Sequence, residues 1–184
     1  MLGPKDDRQL VEKALSGSER AWRGLVKRYE KRLYNHALRI TGNPDDAMDV
    51  LQDVMMSVYR NLSGYRGDGS FAAWLFQIAT FRCMDFLRRR RVRQHETPSH
   101  TEIPDSDDNP QETHLGNVEN NKDILRLMAT LSAEQRQVVE LRFFQHFTFE
   151  EIATQLGISS STAKSRLYSA LEKMRKHSPA VMAV

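Results

Sequence analysis

Apolar residues return along this chain at the three- and four-residue spacing of amphipathic helices, β-branched runs are few, and the pattern predicts an all-α fold. The first part reads as four helices. A short one covers about Asp7 to Leu15. A second begins after Ser18, whose hydroxyl suits an N-cap, and carries Trp22, Leu25, Val26, Tyr29, Leu33, Ala37 and Leu38 before ending at Thr41-Gly42. Asn43-Pro44 opens a third, a capping amide followed by a proline that the first turn tolerates. Ala47, Val50, Leu51, Val54, Val58 and Leu62 form its apolar stripe. After the glycine-rich loop SGYRGDGS, a fourth helix runs from Phe71 to about Arg91 and turns Phe71, Trp74, Leu75, Ile78, Ala79 and Phe86 inward. Trp22 and Trp74 therefore read first as core residues.

The pattern lapses in QHETPSHTEIPDSDDNPQETHLGNVENN, residues 94–121, which has prolines at 98, 104 and 110 and almost no large apolar side chain. Such a stretch buries too little surface to offset the entropy of ordering it, and reads as a flexible linker. Its 28 residues span at most about 90 Å when extended, so the bodies on either side can act at separate places. Beyond it, Ile124 to Met128 belong to a short helix. Ser132-Ala-Glu-Gln135 and Thr148-Phe-Glu-Glu151 both fit the capping box, in which each end of the motif satisfies a free backbone N–H. They open helices over about 133–145 and 149–156. Gly157 ends the latter, and Ser159 is placed to cap a last helix that runs to about Lys176. The chain thus divides into two small helical domains, a four-helix body over 1–93 and a helix-turn-helix body over 122–178, joined by an acidic linker over 94–121 and followed by a tail over 179–184.

Composition narrows the function classes. The 184 residues are 40% hydrophobic and 28% charged, the balance of a globular chain. No apolar stretch approaches the roughly 18 residues of a membrane span, and the first twenty residues are too charged for a secretory signal. A cytoplasmic protein without membrane insertion is expected. The one cysteine, Cys83, excludes an internal disulfide and a Cys-based zinc site, and reads as a small buried hydrophobe. The six histidines show no H-E-x-x-H spacing, and neither a Walker-type glycine loop nor a nucleophile motif is present. No metal, cofactor or catalytic activity is expected.

Charge changes the picture more. The net charge is only +3, but the linker holds seven Asp or Glu and no Lys or Arg, which leaves 27 cations against 17 anions elsewhere. Two basic bodies tied by an acidic strap suit a nucleic-acid ligand. The stretch GISSSTAKSRL, residues 157–167, sharpens that reading. A capped helix, a glycine turn and a second helix form the helix-turn-helix arrangement, whose second helix enters the major groove of DNA. On a helical wheel Ala163, Leu167, Ala170 and Met174 take one side; Ser161, Ser165, Tyr168 and Ser169 lie opposite, with Lys164 and Arg166 on the shoulders. Small hydroxyl residues including Ser160 keep the start of the helix slim enough to press into a groove, with backbone N–H groups aimed at phosphates. Lys164 and Arg166 would supply phosphate or guanine contacts. The plainer alternative is a capped surface helix with a solvated face.

LSAEQRQVVELRFFQHFTFEEIATQLGISSSTAKSRLYSALEKMRK resembles the −35-reading domain of alternative bacterial sigma factors of the extracytoplasmic-function (ECF) type, in the sigma-70 family. DDAMDVLQDVMMSVYRNL and YRGDGSFAAWLFQIATFRCMDFLRRRR resemble that family's promoter-melting domain, except that Val92 interrupts the arginine run, which reads RRRRVR. The resemblance covers about residues 6–176, with both domains in order. It implies a transcription initiation factor that binds core RNA polymerase, through the largest-subunit coiled coil and the flap, and directs it to promoter DNA. Asp49, Gln52 and Asp53 match the motif that docks on the coiled coil; a solvated acidic face is the alternative. The −10 reader maps to Tyr65, Arg66 and Asp68 in the glycine-rich loop, and to Phe81, Arg82, Arg88, Arg89, Arg90 and Arg91 on the fourth helix. Catching unpaired bases calls for aromatic pockets and cations, which these residues supply. For the arginine run, a helix terminus favoured by the macrodipole is the competing explanation. Ser160, Ser161, Lys164, Ser165, Arg166, Tyr168 and Ser169 carry the −35 contacts.

Two departures stand out. Phe81 occupies a place where many members have asparagine, and STAKSRL stands where GTVKSRL is usual; both bear on base preference. The resemblance also implies an anti-sigma factor that clamps the two domains and masks their DNA and polymerase surfaces. The acidic linker would thread polymerase channels that otherwise hold nucleic acid, or serve as an inert tether. Two other classes stay open from the residues alone: a free-standing, dimeric helix-turn-helix regulator, and a helical protein-interaction module. The first leaves the N-terminal body unexplained and the second leaves the last helix idle.

Overall fold

The computed structural model describes residues 4–67, 69–96 and 118–177. Most of the acidic linker, Asp68 and the tail at 179–184 lie outside the described residues. Helix α1 spans Pro4–Leu15, α2 Glu19–Thr41, α3 Pro44–Asn61 and α4 Phe71–Glu96; a short 3-10 turn at Leu62–Gly64 follows α3. In the second half, α5 spans Val118–Ala129, α6 Ala133–Val139, α7 Phe149–Leu156 and α8 Ser160–His177. No strand occurs among the described residues, in keeping with the all-α expectation.

Local chemistry sets most boundaries. The Ser18 hydroxyl accepts from the Ala21 N–H, and the Asn43 side chain accepts from both Asp45 and Asp46 N–H with Pro44 in the first turn. Ser132 and Thr148 both complete reciprocal capping boxes, with Gln135 and Glu151 respectively. Gly42 and Gly157 end α2 and α7 in the left-handed region, at φ 76° and 64°, where a side chain would be strained. Each such cap is worth about 1 kcal/mol, so these signals reach the fold intact.

The N-terminal bundle buries Leu25, Tyr29, Leu33 and Ala37 of α2 against Val50, Val54 and Val58 of α3 and Phe71, Leu75 and Ala79 of α4. Cys83 is fully buried, as its sequence context predicts. Burial pushes its thiol pKa up, and the nearby Glu140 charge adds to the effect, so it is inert. The C-terminal bundle packs Met128, Leu131, Val138, Leu141, Ile152, Ala163, Leu167 and Ala170. Trp74, Ile78 and Phe86, expected to face inward, are half-buried, whereas Phe76 of α4 is fully buried. The reason is that α4 is covered on a second flank: Phe76 meets Phe147 of the C-terminal bundle edge-on, with ring centroids 6.5 Å apart.

That contact belongs to a departure from the sequence reading. The predicted helix over 133–145 stops being α-helical at Val139 and continues as a π-helical turn, Glu140–Phe144. The widened turn, followed by His146 at φ 60°, directs Glu140, Phe144 and Gln145 onto α2. Glu140 is wholly buried, and accepts from Arg39 through Nε at 2.5 Å and Nη2 at 2.9 Å, and from Gln145 Nε2 at 2.9 Å. Nδ1 of His36, also wholly buried, lies 3.3 Å away. Arg39 lies over the Phe144 ring at 3.9 Å, and Arg32 donates to Gln145 at 2.8 Å. Arg136 donates to the Ile40 carbonyl at 2.7 Å, capping the end of α2. The two bundles are therefore docked on each other.

Candidate nucleic-acid and polymerase interfaces

Helix α8 is aimed by its own N-terminus. The Ser159 Oγ accepts from the Thr162 N–H at 3.0 Å and lies 2.8 Å from the Ser161 hydroxyl, so the run of serines caps the helix and leaves its first turn slim. Ala163, Leu167 and Ala170 anchor the opposite side in the core. Ser161, Lys164, Ser165 and Tyr168 lie together on one exposed face, with Tyr168 64% accessible. The other three predicted contacts sit differently. Ser160 is half-buried, Arg166 lies 3.6 Å from Glu134, and Ser169 accepts from Gln135 Nε2 at 3.0 Å.

The glycine-rich loop and α4 form a second basic surface. The Tyr65 hydroxyl donates to the Gly69 carbonyl at 2.7 Å, closing the loop, and its ring meets Phe71 edge-on and Trp74 at a tilt, with centroids 5.4 and 5.6 Å apart. Arg66 is exposed. Phe81 is 64% accessible on α4, an unusual exposure for a large apolar ring, and Arg82 is half-buried beside it. The arginine run is less uniform than its sequence: Arg88 and Arg89 both pair with Asp85, and Arg90 pairs with Asp46 at the start of α3. Arg91 is exposed. Trp74, Gln77, Phe81 and Arg82 line one side of a groove of about 720 Å³, with Glu134, Ile158 and Arg166 on the other.

On α3, Asp49, Gln52 and Asp53 are all exposed and share one face at helical spacing. Met48, Met56 and Tyr59 are exposed on the same helix, at 38%, 51% and 64%. Carboxylates beside exposed methionines suit a protein partner with cationic and apolar groups. Trp22 backs Tyr59 edge-on at 5.1 Å and is half-buried.

Two family descriptions match the chain: Sigma-70 region 2 over residues 25–93 and Sigma-70 region 4 over residues 121–174. The chain belongs to the sigma-70 family. It is 31% identical to the ECF sigma factor SigE of Mycolicibacterium smegmatis, over 85% of this chain and 61% of that protein. It is 29% identical to the RNA polymerase sigma-H factor of Pseudomonas aeruginosa, over 96% of this chain and 95% of that protein. The chain thus spans less than two thirds of the first relative and nearly all of the second. Among solved structures, CnrH in complex with the cytosolic domain of CnrY superposes with a TM-score of 0.68 at 25% identity, covering 96% of this chain and 99% of that one. The sigma factor RpoE of Bartonella quintana, in complex with the anti-sigma factor NepR, shares the fold with a TM-score of 0.72 at 21% identity, over 86% of this chain and 97% of that one.

Within this sigma-family chain, the α3 face and the loop–α4 surface fall in region 2, and α8 falls in region 4. Sequence reasoning missed the cluster between them: Arg32, His36, Arg39, Glu140 and Gln145. Burial alone would push the Glu140 carboxyl up, but the hydrogen bonds and charges of Arg39 and His36 outweigh it and hold it below the usual carboxylate range. No motif marks these residues. For the arginine run a signal was present, because Asp85 stands three and four residues before Arg88 and Arg89, where side chains of a helix meet.

Proposed function

We propose that this chain is an alternative sigma factor that loads onto core RNA polymerase and directs it to a class of promoters. Asp49, Gln52 and Asp53 dock on the coiled coil of the largest subunit, with the exposed Met56 and Tyr59 extending the contact. Region 2 captures unpaired −10 bases: Tyr65, Trp74 and Phe81 offer ring faces, while Arg66, Arg82 and Arg91 hold the backbone. Asp68 belongs to the same loop. Arg88, Arg89 and Arg90 act there once their carboxylate partners yield. Region 4 reads the −35 element through Ser161, Lys164, Ser165 and Tyr168, with Ser160, Arg166 and Ser169 at the margins. Its contact with the polymerase flap completes the holoenzyme. No helix of the described residues is long and apolar enough to cross a membrane. A factor that loads onto RNA polymerase works where the polymerase is, in the cytoplasm.

The observation that carries this reading is the coexistence, on one chain, of a slim hydroxyl-and-cation face on α8 and a separate aromatic and basic surface on the loop and α4. A free-standing regulator would need only the first. An anti-sigma factor belongs to the proposal as a partner, as NepR is for the Bartonella quintana sigma factor. The test is transcription from a library of promoter fragments by core polymerase with and without the chain. New, specific start sites that depend on both proteins support the reading; tight duplex binding by the chain alone, with no new transcripts, favours the regulator.

A further inference from the structure

The α3 face carries a chemistry that docking alone does not need. Met48, Gln52 and Met56 follow one another at four-residue intervals beside Asp49 and Asp53, and Tyr59 continues the face toward the end of the helix. Met48 is 38% accessible and Met56 51%. The other methionines among the described residues sit differently: Met128 is 1% accessible, and Met55, Met84 and Met174 are half-buried. Leucine has nearly the volume of methionine and would serve an apolar contact as well, but it holds no oxidisable atom. The one thiol, Cys83, is wholly buried in the N-terminal bundle and closed to an oxidant. Among the described residues, the sulfur atoms most open to solvent therefore lie on the surface assigned to polymerase.

A thioether reacts with a hydroperoxide without help from neighbouring groups. The sulfur lone pair attacks one peroxide oxygen, and an S–O bond forms as the O–O bond breaks. The hydroxide set free takes up the proton left on the new S–O oxygen and departs as water. Sulfur loses two electrons and the peroxide gains them. The peroxide is uncharged, so Asp49 and Asp53 do not repel it. The product exchanges a flexible apolar tip for a polar S–O group, and such a group pressed into an apolar contact gives up its water without return. Helix α3 itself is held from its other side, by Ala47, Val50, Val54 and Val58 in the core, so the fold survives the change. We propose that Met48 and Met56 are oxidation sites, through which a peroxide lowers the affinity of this chain for RNA polymerase and a reductase restores it. Methionine sulfoxide reductases, one for each epimer, return the thioether; the oxygen leaves as water and a dithiol becomes a disulfide. This rests on the functional reading above and adds a control placed on the docking face.

The test uses the full chain and core RNA polymerase immobilised on a sensor, with hydrogen peroxide as the oxidant and catalase to stop it. Peptide mass mapping follows where oxygen is added, circular dichroism follows the fold, and the sensor reads affinity. The parent is compared with Met48→Leu/Met56→Leu, each relative to its own untreated form; both positions are exposed, so the substitutions empty no core. Oxygen is expected at Met48 and Met56 before Met55, Met84 or Met128, with helix content unchanged. The treated parent should lose affinity about fivefold or more, the treated variant should stay within about twofold, and the two reductases should restore the parent. Equal losses in parent and variant, or no loss when both sulfurs carry oxygen, overturn the inference. So do loss of helix on oxidation, oxygen appearing first at the buried sulfurs, and failure of the reductases to restore binding, an arm that needs no variant. An untreated parent that never binds polymerase defeats the functional reading. Binding that sulfoxide formation leaves untouched defeats the oxidation sites alone.

Discussion

Replacing Arg39 by alanine strands a carboxylate. Glu140 is 0% accessible and the Arg39 side chain 11%, so solvent screens the pair very little. Removing one partner of such a pair costs about 3–5 kcal/mol, and Gln145 and His36 remain to face the carboxylate, which places the loss near the lower end. The lost stacking of Arg39 on Phe144 adds about 0.5–1 kcal/mol. Together they predict a destabilisation of about 3–4 kcal/mol at pH 7, a fall of about 1.5–2 M in the urea midpoint for an m-value of about 2 kcal/mol/M. The pH dependence should change sign. In the parent, the Glu140 carboxyl is held below its unfolded-chain value of about 4.3, so its contribution is present above that pH and is lost as acid passes the folded value. Without Arg39, burial prevails and lifts the carboxyl above the unfolded value. The folded state then binds more protons than the unfolded one, and stability falls as pH rises from about 4 to 7. The groups facing this carboxyl are His36 and Arg39 from α2, Gln145 after the π-helical turn, and the Cys83 thiol of α4. Urea unfolding at pH 4.5 and 7, followed by circular dichroism, is the assay. The double variant Arg39→Ala/Glu140→Leu should recover most of the loss, because it removes the stranded charge. A cost below about 1 kcal/mol for Arg39→Ala, or a double variant no better than the single, would refute the reasoning.

Other expectations follow from the same geometry. Lys164→Ala should weaken binding of the holoenzyme to −35-containing duplex and reduce the slope of log affinity against log salt by about 1, whereas Arg166→Ala, whose guanidinium lies 3.6 Å from Glu134, should change it less; fluorescence anisotropy across a salt series reads both. His146→Gly should stabilise the chain by about 0.5–1 kcal/mol in thermal unfolding, because a histidine held at φ 60° pays a steric penalty that glycine avoids, net of glycine's greater freedom when unfolded. Asn43→Ala removes the acceptor for two N–H groups at the start of α3 and should lower stability by about 1 kcal/mol in the same assay, with no direct effect on the exposed Asp49–Asp53 face.

Caps and turns were legible in the sequence because their chemistry is local. Ser18, Asn43, Ser132 and Thr148 need only the next three residues to act, and Gly42 and Gly157 need only their own backbone. The α8 face was legible for the same reason, since period and cap together fix which side chains look outward. The π-helical turn was not, because one widened turn barely disturbs the spacing of apolar residues around Leu141 and Phe144. Glu140, His36 and Arg39 read as ordinary polar residues of helices, and only the docking of one bundle on the other buries them. The linker's reach led to an expectation of bodies acting apart, and nothing in its composition discloses that they also fit each other. Ser169, Arg166 and the arginine run show a further limit: charge and hydroxyl patterns place side chains on a face, while partners from other elements, such as Gln135, Glu134 and Asp46, decide where they point.

The central claim is that this chain confers promoter choice on RNA polymerase through an α3 contact. Transcription of a promoter library by core polymerase, with the native chain and with Asp49→Arg/Asp53→Arg, tests it most directly, because both residues are exposed and their replacement spares the core. The account predicts new, discrete start sites with the native chain and their loss, by tenfold or more, with a variant that is still folded. Equal transcripts from the variant would contradict the docking assignment, and no new transcripts from the native chain would contradict the claim itself.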